Sequence, residues 1–394
     1  MKNRVGKNIL LGLPPLSLYV HLPWCVRKCP YCDFNSHEVR GDLRQQEYVD
    51  ALLRDLELEL PLIWGRPVHS VFFGGGTPSL FTAEQIGRLL QGIRGLLTLA
   101  PDVEITLEAN PGTTERDSFS AYREAGVNRV SLGVQSFNDV SLGRLGRIHG
   151  RDEVLAAIES VRRAEIKNFN LDLMYALPGQ SLGEAVADID RAISFAPAHI
   201  SHYQLTIEPN TAFHVEKPAL PEDELAWDMQ DHCTGRLESA GFRQYEISAW
   251  SAEGRQCRHN LNYWSYGDFI GIGAGAHGKI TLPAEGGIRR RIRVRHPKNW
   301  TGSAGTGKVL ASDSLLSPED RVFEFFLNQL RLRGGVQMLQ FEPRTGLPWS
   351  DVAGRVISLI DRGLLEEQGD RLVHTETGWR FVNDMQSVFL PPRS

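Results

Sequence analysis

Apolar and polar positions along the first two-thirds of the chain follow two alternating rhythms. Short runs that are apolar and often β-branched recur at 17–22, 69–73, 103–108, 128–134, 169–173 and 199–207. Runs of this length and composition predict buried strands. Between them, apolar residues return every three to four positions over 44–60, 83–97, 115–125, 152–164, 182–195 and 223–240. That is the spacing of one helical face. Gly126 and Gly241 stand where such helices stop. Six strand–helix repeats predict an α/β fold with a parallel sheet and right-handed crossovers. Six are too few for an eight-fold barrel, so an open, partial (β/α)6 barrel is expected over residues 17–246.

The rhythm fails after Trp250. Residues 247–309 are expected to form a mixed, linker-like extension. Residues 310–394 restart with a helix over 318–331. They continue through short helices, a turn at Gly363, a strand at 371–374 and a helix from Glu376. That order predicts a small winged-helix-like C-terminal domain. A DNA role for it is not expected, because Glu366, Glu367 and Asp370 surround the wing and no basic stripe is present. Residues 1–16 read as a tail. Lys2, Arg4 and Lys7 before Ile9-Leu10-Leu11 mimic a secretory leader, but Pro14-Pro15 interrupts it and no small-residue cleavage site follows. No apolar stretch is long enough to span a bilayer. A net charge of -5 supplies no general attraction for nucleic acid.

The chemistry concentrates in one short loop. Cys25, Cys29 and Cys32 follow the first predicted strand as C-x-x-x-C-x-x-C. Three thiolates so close together can hold three irons of a [4Fe–4S] cluster and leave the fourth iron open to a small molecule. A disulfide framework fits poorly, since the 394-residue chain has five cysteines, the others being Cys233 and Cys257. Zinc would need a fourth ligand, for which His37 is available. Few cysteines and a need for reduced thiols point to the cytoplasm. Gly74-Gly75-Gly76-Thr77-Pro78 follows the second strand, Glu108 closes the third, Gln135 follows the fourth and Asp172 closes the fifth. All fall on the C-terminal rim of a parallel sheet, where such folds carry their chemistry.

The cysteine loop followed by G-G-G-T-P resembles the radical SAM superfamily. The resemblance implies a [4Fe–4S] cluster on Cys25, Cys29 and Cys32, whose open iron binds S-adenosylmethionine (SAM). It also implies that the Gly75-Gly76-Thr77 turn meets the SAM amino group. A narrower likeness runs over nearly the whole chain. Leu18-Tyr19-Val20-His21-Leu22-Pro23-Trp24-Cys25 with Cys32-Asp33-Phe34 is similar to the HemN-like family of oxygen-independent coproporphyrinogen oxidases and heme chaperones. By this resemblance Tyr19 buttresses the cluster, and Glu108, Gln135, Arg147 and Asp172 contact SAM. A carboxylate can pair ribose hydroxyls or offset a sulfonium charge, and Arg147 can fork onto a carboxylate.

Two positions separate the branches. The oxidase pattern has a further cysteine two residues after the third cluster cysteine, where this chain has Phe34. The heme-chaperone pattern has H-N-x-x-Y-W, matched by His259-Asn260-Leu261-Asn262-Tyr263-Trp264. Both favour the heme-chaperone (HemW) branch, so coproporphyrinogen dehydrogenase activity is not expected. The resemblance implies heme near His259, Asn260, Tyr263 and Trp264, and transfer of heme to acceptor proteins such as respiratory-chain components. Peripheral membrane association and a homodimer are compatible with it. Imidazole is a common heme ligand and aromatics cover porphyrin faces. Cys257 is a rival soft ligand, and no C-x-x-C-H is present for thioether attachment. From residue chemistry alone, the better reading of His259 is a hydrogen-bonded histidine in a turn, with Tyr263 and Trp264 packing as core; only the resemblance favours heme nearby.

Two further segments attract attention. Gly302 to Val309 nearly spells a phosphate-binding loop, but Val309 stands where Ser or Thr should follow Lys308. The run Arg289 to His296 alternates arginine with Ile292 and Val294. It reads as a strand with one solvated face, or as a reader of heme propionates or acidic lipid headgroups.

Overall fold

The computed structural model describes residues 11–113 and 118–391. The leader-like residues 2–10 and the first positions of the helix expected over 115–125 lie outside them.

Six strands carry the predicted repeats: β1 (Leu16–Leu22), β2 (Val68–Gly75), β3 (Leu99–Ala109), β4 (Arg129–Gln135), β5 (Asn168–Tyr175) and β6 (His199–Gln204). Their crossovers are α1 (Gln45–Glu57), α2 (Ala83–Leu96), α3 (Phe119–Ala125), α4 (Arg151–Arg163) and α5 (Leu182–Ser194), and α6 (Asp223–Ser239) follows β6. Local chemistry sets these boundaries. Thr82 and Ser181 accept hydrogen bonds from the first turns of α2 and α5, and Glu184 completes a reciprocal cap. Gly126 ends α3 in the left-handed conformation.

The sheet is larger than the repeats predict. β7 (Arg243–Glu246), β8 (Ala249–Ser251), β9 (Asp268–Ile272), β10 (His277–Leu282), β11 (Gly287–Arg293) and β12 (Leu310–Leu315) all join it. Among the described residues the order is β12-β11-β10-β9-β1-β2-β3-β4-β5-β6-β8-β7. The stretch expected as a linker therefore builds β9 to β11 on one flank of the sheet and β8 near the other, and β12 comes from the first residues of the expected C-terminal domain. β9 pairs parallel with β1 and makes a seventh parallel strand. It was hidden because its residues sit in a glycine-rich run. Gly271 there has no room for a side chain, since a Cβ would overlap the His277 carbonyl of the neighbouring strand. Among the described residues the sheet does not close, and β12 and β7 are its edges.

The arginine-rich strand β11 is not a solvated face. Arg293 is buried on Asp55 and Glu59, and Arg291 pairs with Glu59 and Asp313. Arg289 pairs with Glu285 and Asp313, and Arg290 with Glu324. These guanidinium groups are engaged within the fold, which overturns the anionic-patch reading for them. Arg295, just beyond the strand, is exposed. Asp55 also accepts from the Gly273 amide and the Trp300 indole, so a polar residue on the buried face of α1 clamps the strand and the glycine run together.

The C-terminal module has its own core. Phe325 and Phe326 of the helix Pro318–Gln329 pack with Phe341 and Phe389, and Phe326 stacks on Phe389 at 3.7 Å. That helix follows a shorter α7 (Arg258–Trp264) in the chain. A small sheet of Val336–Gln337, Leu365–Gln368 and Arg371–His374 completes the winged-helix-like form. Among the described residues no helix is long and apolar enough to cross a membrane.

Candidate functional site

The cysteine loop leaves β1 and is pinned at both ends. Trp24–Cys25 pairs in parallel with His37–Glu38. The glycine turn after β2 is laced to it, with the Gly76 amide donating to Leu22 O and the Thr77 amide to Trp24 O. The turn requires glycine because the loop lies so close. A Cβ on Gly75, at φ 115°, would stand 2.5 Å from the His21 ring, and one on Gly76 would stand 2.5 Å from Trp24 O.

The three thiols are free and line one cavity of about 400 Å³. Each sulfur has its own hydrogen-bonding partner. Thr77 Oγ1 donates to Cys25 Sγ at 3.5 Å, and Arg147 Nη1 donates to Cys29 Sγ at 3.4 Å. Cys32 Sγ is 3.8 Å from Ser36 Oγ. Burial pushes the Cys25 and Cys32 thiols up, a cost that iron would offset by holding them as thiolates. The donors Thr77 and Arg147 suit sulfurs that carry negative charge, the Ser36 hydroxyl stands beside the third, and the set fits a [4Fe–4S] cluster. Among the described residues no three His, Cys, Asp or Glu side chains converge as on one metal ion. The thiolates of a cluster bind separate irons and need no common point. His37, the spare ligand for zinc, instead turns to Asn35 Oδ1 at 3.3 Å and lies edge-on to His296.

Gly75, Gly76, Thr77, Glu108, Gln135, Arg147 and Asp172 line the same cavity. Glu108 Oε2 accepts from the Gly75 amide at 3.2 Å. Burial, then the charge of Asp172, pushes the Glu108 carboxyl up to about 8. Burial also raises Asp172, against hydrogen bonds from Ser131 and Asn170. Gln135 sits after a register shift at the end of β4 with φ 69°, a left-handed conformation that aims its side chain off the strand. A cavity holding two carboxyls that resist ionisation is matched to a ligand bringing positive charge.

Asn110 was not singled out from the sequence. Its Nδ2 donates to Thr77 Oγ1 at 2.8 Å, and its Oδ1 accepts from Arg147 at 2.6 Å. It thus ties together the donors of two cysteine sulfurs. Its place directly after β3, ahead of Pro111-Gly112, was the available signal. Tyr31, Met174 and Tyr203 also line the cavity. Tyr19 does not. It packs under Gly74, and its hydroxyl is 3.0 Å from His21 Nδ1, so it supports the strand beneath the turn.

The second motif is scattered. His259 is 1% exposed, with Nδ1 3.0 Å from Ser70 Oγ and its ring stacked on Phe72 at 4.9 Å. Burial pushes its imidazole down to about 3. It lines neither this cavity nor a second one that adjoins it at Phe34, Gly75 and Glu108. Asn260 sits in the first turn of α7, half-buried. Trp264 faces Arg331 of the C-terminal module at 4.3 Å. Tyr263 lines the adjoining cavity, lying against Phe269 at 4.3 Å. Cys257 is sealed, its thiol directed at Glu104 and pushed up to about 12 by burial.

A model of the radical SAM superfamily matches residues 19–192, and one of the HemN C-terminal domain matches residues 316–381. The heme chaperone HemW of Escherichia coli is 47% identical, covering 97% of this chain and 100% of its own length. The heme chaperone HemW of Haemophilus influenzae is 47% identical over 96% of this chain and 98% of its own. That of Bacillus subtilis is 32% identical over 95% and 99%. Among solved structures, the coproporphyrinogen III oxidase HemN of Escherichia coli superimposes with a TM-score of 0.80 at 22% identity, covering 96% of this chain and 90% of that one. At that identity the likeness speaks to the fold.

Proposed function

The chain belongs to the HemW family within the radical SAM superfamily, and from that premise we propose that it is a heme chaperone carrying a [4Fe–4S] cluster and SAM. Cys25, Cys29 and Cys32 hold the cluster. Gly75, Gly76, Thr77, Glu108, Gln135, Arg147 and Asp172 bind SAM, and Tyr19 supports the turn from below. When bound, the cluster supplies an open iron for SAM and a one-electron reservoir. The protein's own part is position and charge: Arg147, Thr77 and Ser36 stabilise the sulfurs, while Glu108 and Asp172 answer a cationic ligand. Heme is taken up and passed to acceptor proteins such as respiratory-chain components, in the cytoplasm.

The observation that carries this reading is the ring of three free thiols, each with its own hydrogen-bonding partner, beside Phe34. Phe34 is 62% exposed at the lip of the cavity, where the oxidase pattern has its further cysteine. The intact cluster and carboxyl site favours one rival, oxidative decarboxylation of coproporphyrinogen III. An anaerobic heme titration of the cluster-reconstituted protein, followed by transfer to an apo-acceptor, tests the proposal. Saturable one-to-one binding and transfer are expected. Anaerobic turnover of coproporphyrinogen with SAM consumption, and no saturable heme site, would replace it with the oxidase.

A further inference from the structure

A second cavity of about 570 Å³ opens beside the first and shares Phe34, Gly75 and Glu108 with it. Its size is that of a small-molecule site, commonly about 300–1,000 Å³. Tyr263 and Phe269 give it an aromatic wall, and His21, His277 and Arg295 also line it. The two imidazoles differ. His21 is engaged on both nitrogens, with Tyr19 Oη at 3.0 Å and Asn35 O at 2.9 Å. His277, at the start of β10, is exposed.

The backbone that presents His277 is firmly held. Gly273 and Gly275 turn it with φ of 104° and 79°. The Gly273 amide donates to Asp55, the Ala274 amide to Tyr48 Oη, and Asn35 Nδ2 donates to both Ala274 O and Arg295 O. An imidazole and a guanidinium are thus displayed at one aromatic cavity on an anchored scaffold. Iron in a porphyrin asks for an imidazole nitrogen, the macrocycle for aromatic contact, and its carboxylates for a cation.

Resting on the heme-chaperone reading, we propose that heme is bound in this second cavity, with His277 as its iron ligand and Arg295 on a propionate. His259 then serves the fold. Its ring is enclosed by Phe72 and Tyr263 and fastened to Ser70, and it holds Tyr263 one helical turn away against the cavity. The H-N-x-x-Y-W segment acts on heme through Tyr263 and not through its histidine.

The test is an anaerobic hemin titration of cluster-reconstituted full-length protein, read by Soret absorbance. His277→Gly is expected to weaken binding by about ten-fold or more and to alter the band, which free imidazole restores by filling the vacated position. Arg295→Glu is expected to weaken binding with the band shape unchanged. Iron content and circular dichroism report whether each variant folds, and His277→Met, which keeps bulk and supplies a thioether, is expected to change the band without loss of fold. Wild-type affinity and spectrum in His277→Gly would overturn the inference and leave the chaperone reading standing. Loss of binding without imidazole rescue in a folded variant would overturn it too, as a structural effect. No saturable binding in the wild type would remove both.

Discussion

Glu108 should make SAM binding depend on pH. Its carboxyl sits at about 8 in the ligand-free fold, raised first by burial and then by the charge of Asp172, with one opposing hydrogen bond from the Gly75 amide. By that value about one carboxyl in a hundred is ionised at roughly pH 6, and about half at roughly pH 8. If SAM is held by the carboxylate, apparent affinity scales with the ionised fraction and rises by about 50-fold across that interval. Glu108→Gln keeps the side-chain shape and an acceptor for the Gly75 amide but has no proton to lose. SAM carries a titrating amino group of its own, so the informative quantity is the ratio of wild-type to variant affinity. Anaerobic equilibrium dialysis with cluster-reconstituted protein measures it, and that ratio should climb with pH and level off above about pH 9. Parallel profiles in the two proteins would refute the reasoning. The linked effect on folding has a definite sign. The folded pKa lies above the ordinary 4.5, so the native state binds the extra proton, and stability falls as the pH rises from about 4.5 to about 8. The glutamine variant lacks that decline.

Other substitutions probe the scaffold. Arg293→Leu takes from Asp55 the buried guanidinium it pairs with, while Glu59 keeps Arg291, and is expected to cost about 3–5 kcal/mol, read as a lower urea midpoint, whereas an unchanged midpoint would mean the Arg293–Asp55 pair contributes nothing. Arg147→Met removes the donor to Cys29 and the link to Asn110, so the cluster should become harder to reduce, by on the order of 50–100 mV in a redox titration followed by electron paramagnetic resonance. A potential unmoved by the change would place the guanidinium outside the cluster's electrostatics. Gly75→Ala drives a Cβ to 2.5 Å from His21 at a backbone angle that disfavours side chains, and about 2–3 kcal/mol of destabilisation with poor iron loading should follow. Full loading and a wild-type melting temperature would contradict the close packing of turn and loop.

The repeats of the barrel were legible because each is a local pattern. The helix expected over 182–195 is found at Leu182–Ser194, bounded by a serine–glutamate cap that the chain carries within four residues. The helix expected over 44–60 is interrupted near Glu59, and a short turn of helix follows over Leu60–Ile63 with a proline near its start. The rim residues were legible for the same reason: they end strands, and strand ends in a parallel sheet gather on one face. The flank of β9 to β12 was not legible. Its strands are short or interrupted by glycine, and arginines on β11 masked its buried positions.

The sequence by itself determined the cysteine loop, the glycine turn and the six repeats, since each needs only neighbours a few residues away. Tertiary structure decided everything that depends on partners distant along the chain. Arginines 291 and 293 look solvated until Asp55 and Glu59 of α1 are brought to them. Asn110 becomes part of the site only where Thr77 and Arg147 meet it. His259 and His277 are both histidines in unusual surroundings, and no local pattern ranks them. One is enclosed by β2 and α7 while the other is displayed at an open cavity, because side-chain burial is a property of packed layers and not of the chain's own spacing.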